Sequence, residues 1–117
     1  MNTRALGAYG EELACRYLEK NGCEIAARNF HASRAAELDI VAKEKNLLLF
    51  VEVKTRFSPA AGSGREAVTI AKQRHIRYAA QYYMMRNRLT DIPCRFDVLE
   101  ISLWGDAPEI VWLKNAF

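Results

Sequence analysis

Residues 37–55 read ELDIVAKEKNLLLFVEVKT: two apolar, β-rich runs either side of a short polar tip. Strict alternation puts Leu38, Ile40 and Ala42 on one face of the first run, and Leu47, Leu49, Val51 and Val53 on one face of the second. The opposite face carries Glu37, Asp39 and Val41, then Leu48, Phe50, Glu52 and Lys54. With Lys45-Asn46 as the central residues of a two-residue turn, Val41 opposes Phe50, Asp39 opposes Glu52 and Glu37 opposes Lys54. Directly opposed side chains have Cβ atoms roughly 4.5–5.5 Å apart, where two carboxylates repel. A divalent cation between them reverses that sign. The same face is apolar near the turn (Val41, Leu48, Phe50), so another element must cover it, with the charges at the rim of the cover. Ordinary solvated hairpin charges, with Glu37–Lys54 a cross-strand ion pair, are the plainer alternative.

At 117 residues and 50% apolar content, the chain reads as one domain, 1–117, able to build a real core. A charge of +3 and a pI near 8.9 permit a nucleic-acid partner without requiring one. Three cysteines without CxxC spacing argue against a disulfide scaffold and a zinc site, and place the protein in a reducing cytoplasm. No apolar leader or membrane-length run is visible.

Outward from the hairpin, residues 3–20 read as a helix with Thr3 as N-cap and Asn21-Gly22 as stop. Its stripe is Leu6, Gly10, Leu13, Ala14 and Tyr17, with Leu18 at the margin and Glu11 on the shoulder. Gly10 within the stripe allows close backbone approach. Residues 23–29 read as a strand, and 30–36 connect it to the hairpin with His31 and Arg34 exposed. After Thr55, RFSPAAGSGREAV is a loop in which Arg56 and Arg65 either close over a substrate or simply connect. A second helix is expected from the N-cap Thr69 to about Arg88, burying Ile76, Ala79, Ala80 and Tyr83. Gln73 lies at the edge of that stripe, within reach of the acidic rim or of a local hydrogen bond. Lys72, Arg74, Arg77, Arg86 and Arg88, with Tyr78 and Tyr82 among them, make the outer face a phosphate-binding candidate or a solvated surface. Residues 94–101 and 109–113 read as strands; Asp97 and Glu100 receive no catalytic role. The order is α-β-β-β-α-β-β, and the helix before the fourth strand lets it add in parallel, giving a mixed sheet between helices.

A helix carrying Glu11, then Asp39 and Glu52-x-Lys54 across a hairpin, then a helix carrying Gln73, resembles the PD-(D/E)xK nuclease superfamily. More closely, the chain resembles the YraN-type family of small predicted endonucleases. The matching pieces are Gly7, Gly10-Glu11, Ala14, Tyr17-Leu18, Gly22, Glu37-Leu38-Asp39, the run Phe50 to Arg56, Ala67-Val68-Thr69, Lys72-Gln73, Arg95 to Val98, and Asn115-Ala116-Phe117. Ala35-Ala36 stand where that family usually has glycines. The resemblance implies a restriction-endonuclease-like, three-layer α/β/α fold with a central mixed sheet. It implies metal-dependent phosphodiester hydrolysis in which Asp39, Glu52 and Glu11 hold Mg²⁺ or Mn²⁺. Lys54 would then orient the attacking water and Gln73 would support the site. Arg56, Lys72, Arg74 and Arg77 would contact the DNA backbone, and the resemblance to Holliday-junction resolvases implies branched or single-stranded DNA and a homodimer. The alternative is a nucleic-acid-binding module of the same fold with little cleavage of its own, acting with a partner.

Overall fold

The computed structural model describes residues 2–59 and 68–117. The order is α1 (Thr3–Lys20), β1 (Glu24–His31), β2 (Glu37–Glu44), β3 (Leu47–Arg56), α2 (Ile70–Arg86), β4 (Cys94–Ser102) and β5 (Glu109–Leu113). The strands form one sheet in the order β1-β2-β3-β4-β5; β3 and β4 run parallel and every other neighbouring pair is antiparallel. The middle strands β2 and β3 are buried from Leu38 to Ala42 and from Leu48 to Val51 because both faces of the sheet are covered there. Ala14, Cys15 and Leu18 of α1 pack on Ile40, Ala42, Leu49, Val51, Leu99 and Ile101. On the other face, Ile76, Ala79, Ala80 and Tyr83 of α2 pack on Leu38, Val41, Leu48, Phe50 and Val98. The fold is the expected three-layer α/β/α arrangement, and α2 is the cover that the apolar end of the hairpin required. Among the described residues, no helix is long and apolar enough to cross a membrane.

Several boundaries differ from the sequence expectation. The N-cap of α1 is Asn2, whose Oδ1 accepts from the Ala5 amide at 2.8 Å; Thr3 is already helical. Strand β1 extends two residues beyond Asn29, to His31. Helix α2 is capped by Thr69 as expected but ends at Arg86, with Asn87 as C-cap. Ala36, in the place of a glycine, is buried in the α2-side core, and its carbonyl accepts from the Ala32 amide. The connection around Arg65 lies outside the described residues, so the substrate-closing loop is not addressed by the fold.

Helix α1 crosses β3 closely at Gly10. A Cβ there would stand 2.2 Å from Thr55 Oγ1 and 3.2 Å from Thr55 Cβ, so glycine sets how near Glu11 comes to the end of the hairpin.

Candidate functional site

The turn at Lys45-Asn46, with Lys45 at φ 55, holds the expected register from Glu44↔Leu47 through Val41↔Phe50 to Ile40↔Val51. Pairing then stops, so the expected Asp39↔Glu52 and Glu37↔Lys54 partners are not opposed on the ladder. The neighbouring strand β1 is irregular at the same level. Arg28 pairs with Ile40 and Phe30 with Leu38, and between them Asn29 takes a left-handed backbone at φ 51. The ribbon changes face there: Arg28 reaches Glu12 of α1 at 3.0 Å, whereas Phe30 packs edge-on against Tyr83 of α2. Leu38 accordingly sits in the α2-side core and Ile40 in the α1-side core, correcting their assignment to one face. At this break the Asp39 carboxylate takes over a ladder position: its Oδ2 accepts from the Val53 amide at 2.8 Å.

Asp39 is only 8% exposed. The Glu52 carboxylate meets it at hydrogen-bond range, and the Lys72 ammonium of α2 stands 3.6 Å from Glu52 Oε1. Burial, then the Asp39 charge, push the Glu52 carboxyl up to about 8, with Lys72 opposing. Burial likewise raises Asp39, against the Val53 amide that favours its charged form. A buried acid pair of this kind holds one proton between its members, or a cation in its place. The donors are hard oxygens, which suits Mg²⁺ or Mn²⁺ and not a soft metal. Glu11 is raised by burial and then by Asp39, and hydrogen-bonds the Asn29 side chain. It shapes the field at the pair; among the described residues, no group of three or more His, Cys, Asp or Glu side chains converges on one ion position.

The other expected residues divide. Lys54 is exposed two residues beyond Glu52 on the regular strand β3, which puts both on one face. The Gln73 amide donates to the Val68 carbonyl at 3.1 Å, the local hydrogen bond rather than the reach to the acids. Arg56, expected on DNA, is largely buried, hydrogen-bonded to Glu100 and 5.1 Å from the Trp104 ring centre. Lys72 turns inward to Glu52. Arg77 lies over Phe96 at 4.6 Å and Phe117 at 5.7 Å. Arg74 remains on the exposed side of α2.

Sequence reasoning missed Asn29, which stands at the face change, and the role of Asp97. That fully buried carboxylate accepts from Arg95 Nε and Nη2, Trp112 Nε1 and the Asn115 amide, all at 2.8–2.9 Å. Arg95 two positions before Asp97, on the same face of the strand, was the available signal. The hub ties β4 and β5 together beneath α1, away from the Asp39–Glu52 pair.

A profile described as "Uncharacterised protein family UPF0102" matches residues 10–101. A "UPF0102 protein" of Acetivibrio thermocellus is 46% identical, covering 99% of this chain and 93% of that one. A "UPF0102 protein" of Caldicellulosiruptor saccharolyticus is 44% identical over the whole of both chains. UPF0102 protein lpg2994 of Legionella pneumophila is 39% identical, over 98% of this chain and 96% of that one. Among solved structures, Pyrococcus furiosus SfsA in complex with Ca²⁺ superposes with a TM-score of 0.41 at 15% identity. That match covers 97% of this chain, which spans 64% of the length of SfsA.

Proposed function

The chain belongs to the uncharacterised protein family UPF0102, and from that footing we propose that it is a divalent-metal-dependent endonuclease acting on phosphodiester bonds in DNA. The observation that carries the reading is the Asp39–Glu52 pair. Asp39 is buried and Glu52 largely so, side by side at a break in the ladder, with the Lys72 ammonium against Glu52 and exposed Lys54 on the Glu52 face. A fold does not keep such a repulsive pair for stability alone.

In this reading Asp39 and Glu52 hold Mg²⁺ or Mn²⁺, whose chemistry is to polarise a phosphoryl oxygen and acidify a water. The Val53 amide fixes Asp39 so that one oxygen stays committed to β3 and the other is available to a ligand. Lys54 orients the attacking water or offsets the charge that grows on phosphorus. Lys72, 3.6 Å from Glu52 Oε1, offsets part of the charge of the acid pair and can also serve a substrate phosphate. Glu11 keeps the field negative at the rim, favouring cation capture. Arg74 and Lys72 position the backbone without reading sequence.

The two-carboxylate donor set, without a third converging acid among the described residues, favours as second reading a nucleic-acid-binding module that is a weak catalyst alone. One experiment separates them: labelled single-stranded, duplex, flap and four-way-junction DNA with Mg²⁺, Mn²⁺ or EDTA, beside a Lys54→Ala control. Metal-dependent cutting that falls by about 10²–10³ in Lys54→Ala is the expected result. Salt-sensitive binding with no cutting by either protein refutes the nuclease reading and leaves the binding module.

A further inference from the structure

The outward ridge of α2 is unlike a solvated helix face. Ile70, Arg74, Tyr78, Gln81 and Met85 fall on one side of the helix, opposite the buried Ile76, Ala79, Ala80 and Tyr83. Such a ridge usually carries mixed charge. Here Ile70 is 66%, Tyr78 53% and Met85 70% exposed. Between Ile70 and Arg86 the sequence holds Lys72, Arg74, Arg77 and Arg86 and no carboxylate. Tyr78, Gln81, Tyr82 and Met85 line a shallow depression of 340 Å³. The Tyr82 ring is steadied by Phe30, with centroids 6.0 Å apart. Lys72, which meets Glu52, stands on the inward side of the same helix end; at 1.5 Å per residue, Tyr78 lies about 9 Å further along the axis and on the outward side.

We propose that this ridge is a stacking platform for a single-stranded nucleic acid. Tyr78 and Tyr82 take unpaired base faces, Met85 flanks them, and Arg74 takes the phosphate between the platform and the Asp39–Glu52 site. The inference rests on the nucleic-acid part of the proposed function and names its substrate class. Three observations select this occupant. Exposed aromatic faces give a strand of unpaired bases a stacking surface that a duplex, whose bases are already stacked, cannot use. The ridge carries Arg74 and α2 holds no acid to oppose it, which makes the ridge complementary to a polyanion. A second copy docked ridge to ridge would bring arginine against arginine with no carboxylate on either helix to pair them.

The test is fluorescence anisotropy in EDTA, comparing labelled single strands with duplex of the same length, for the wild type, Tyr78→Ala, Tyr78→Phe and Arg74→Ala. Both altered residues are exposed, and thermal melts confirm that each variant is folded. The wild type should prefer the single strand. Tyr78→Ala should weaken single-strand binding about 5- to 100-fold, leave duplex binding unchanged, and be rescued by Tyr78→Phe. Arg74→Ala should lower the salt slope by about one. Unchanged single-strand affinity in Tyr78→Ala, or an equal loss on duplex, overturns the platform. So does a dimer-to-monomer change in sedimentation for Tyr78→Ala, which would mean that a second copy covers the ridge. Because EDTA removes cutting from the measurement, the two readings fail separately. Tyrosine-dependent binding by a wild type that never cuts leaves the platform and removes the nuclease; Lys54-dependent cutting with tyrosine-independent binding does the reverse.

Discussion

Replacing Glu52 by glutamine should remove most of the pH dependence of stability in metal-free buffer. The Glu52 carboxyl is held up to about 8, from a usual 4.5, by burial first and then by the Asp39 charge. The folded protein therefore keeps a proton across that window which the unfolded chain has already released. The unfolded state binds fewer protons, so stability falls as pH rises from about 4.5 to about 8 and is highest on the acid side of it. At about 1.4 kcal/mol per pH unit, the whole interval corresponds to about 5 kcal/mol. Because the proton is shared with Asp39, the expected loss is about 2–4 kcal/mol, or about 10 °C in Tm. Urea unfolding in EDTA at intervals from pH 5 to 8.5 reads this directly. Glu52→Gln should show a much flatter profile and exceed the wild type at the alkaline end. The residual slope should keep its sign, since Asp39 and Glu11 are also raised. A Glu52→Gln profile parallel to that of the wild type, or wild-type stability rising with pH across this window, would refute the shared-proton account.

Other outcomes follow from the same geometry. Mg²⁺ or Mn²⁺ should raise the wild-type Tm most above pH 7, where the proton is weakest, and leave Tm of Glu52→Ala unmoved by differential scanning fluorimetry. Gly10→Ala should destabilise by about 1–3 kcal/mol in urea, because the new methyl meets Thr55 and outweighs a helix-propensity gain of about 1 kcal/mol; Thr55→Ala in the same chain should recover part of the loss. Asp97→Asn should cost about 3–5 kcal/mol, since it strands the Arg95 charge and unsettles Trp112; urea unfolding and a shift in tryptophan emission check it.

The parts of this molecule visible in its sequence are those fixed by local rules. The Lys45-Asn46 turn set the hairpin register, and helical spacing identified Ile76, Ala79, Ala80 and Tyr83 as the buried face of α2. The apolar run of β3 marked a strand covered on both faces, and the helix before β4 implied its parallel addition. What alternation cannot show is a residue that leaves the pattern. Asn29 stands in left-handed backbone within β1 where the ribbon changes face; at that level Leu38 and Ile40 part company and Asp39 meets Glu52 without being its ladder partner. Partners across the sheet were hidden for a second reason. That Arg56 lies on Glu100 and Lys72 on Glu52 depends on how β4 and α2 stand against β3, which no spacing within one segment encodes.

Strand order in space equals strand order along the chain, and this bears on how the protein folds. Three of the four strand pairings close through short local connections; only β3 with β4 requires a long closure, across α2. That pairing is also the longest, running from Leu48↔Cys94 to Arg56↔Ser102. The entropy of one large loop must therefore be met before nine consecutive residue pairs can repay it. Contact order is otherwise low, so the β3–β4 seam is the natural nucleus. Truncating Val98 should slow refolding in a chevron experiment, whereas truncating Leu18 of α1 should chiefly speed unfolding.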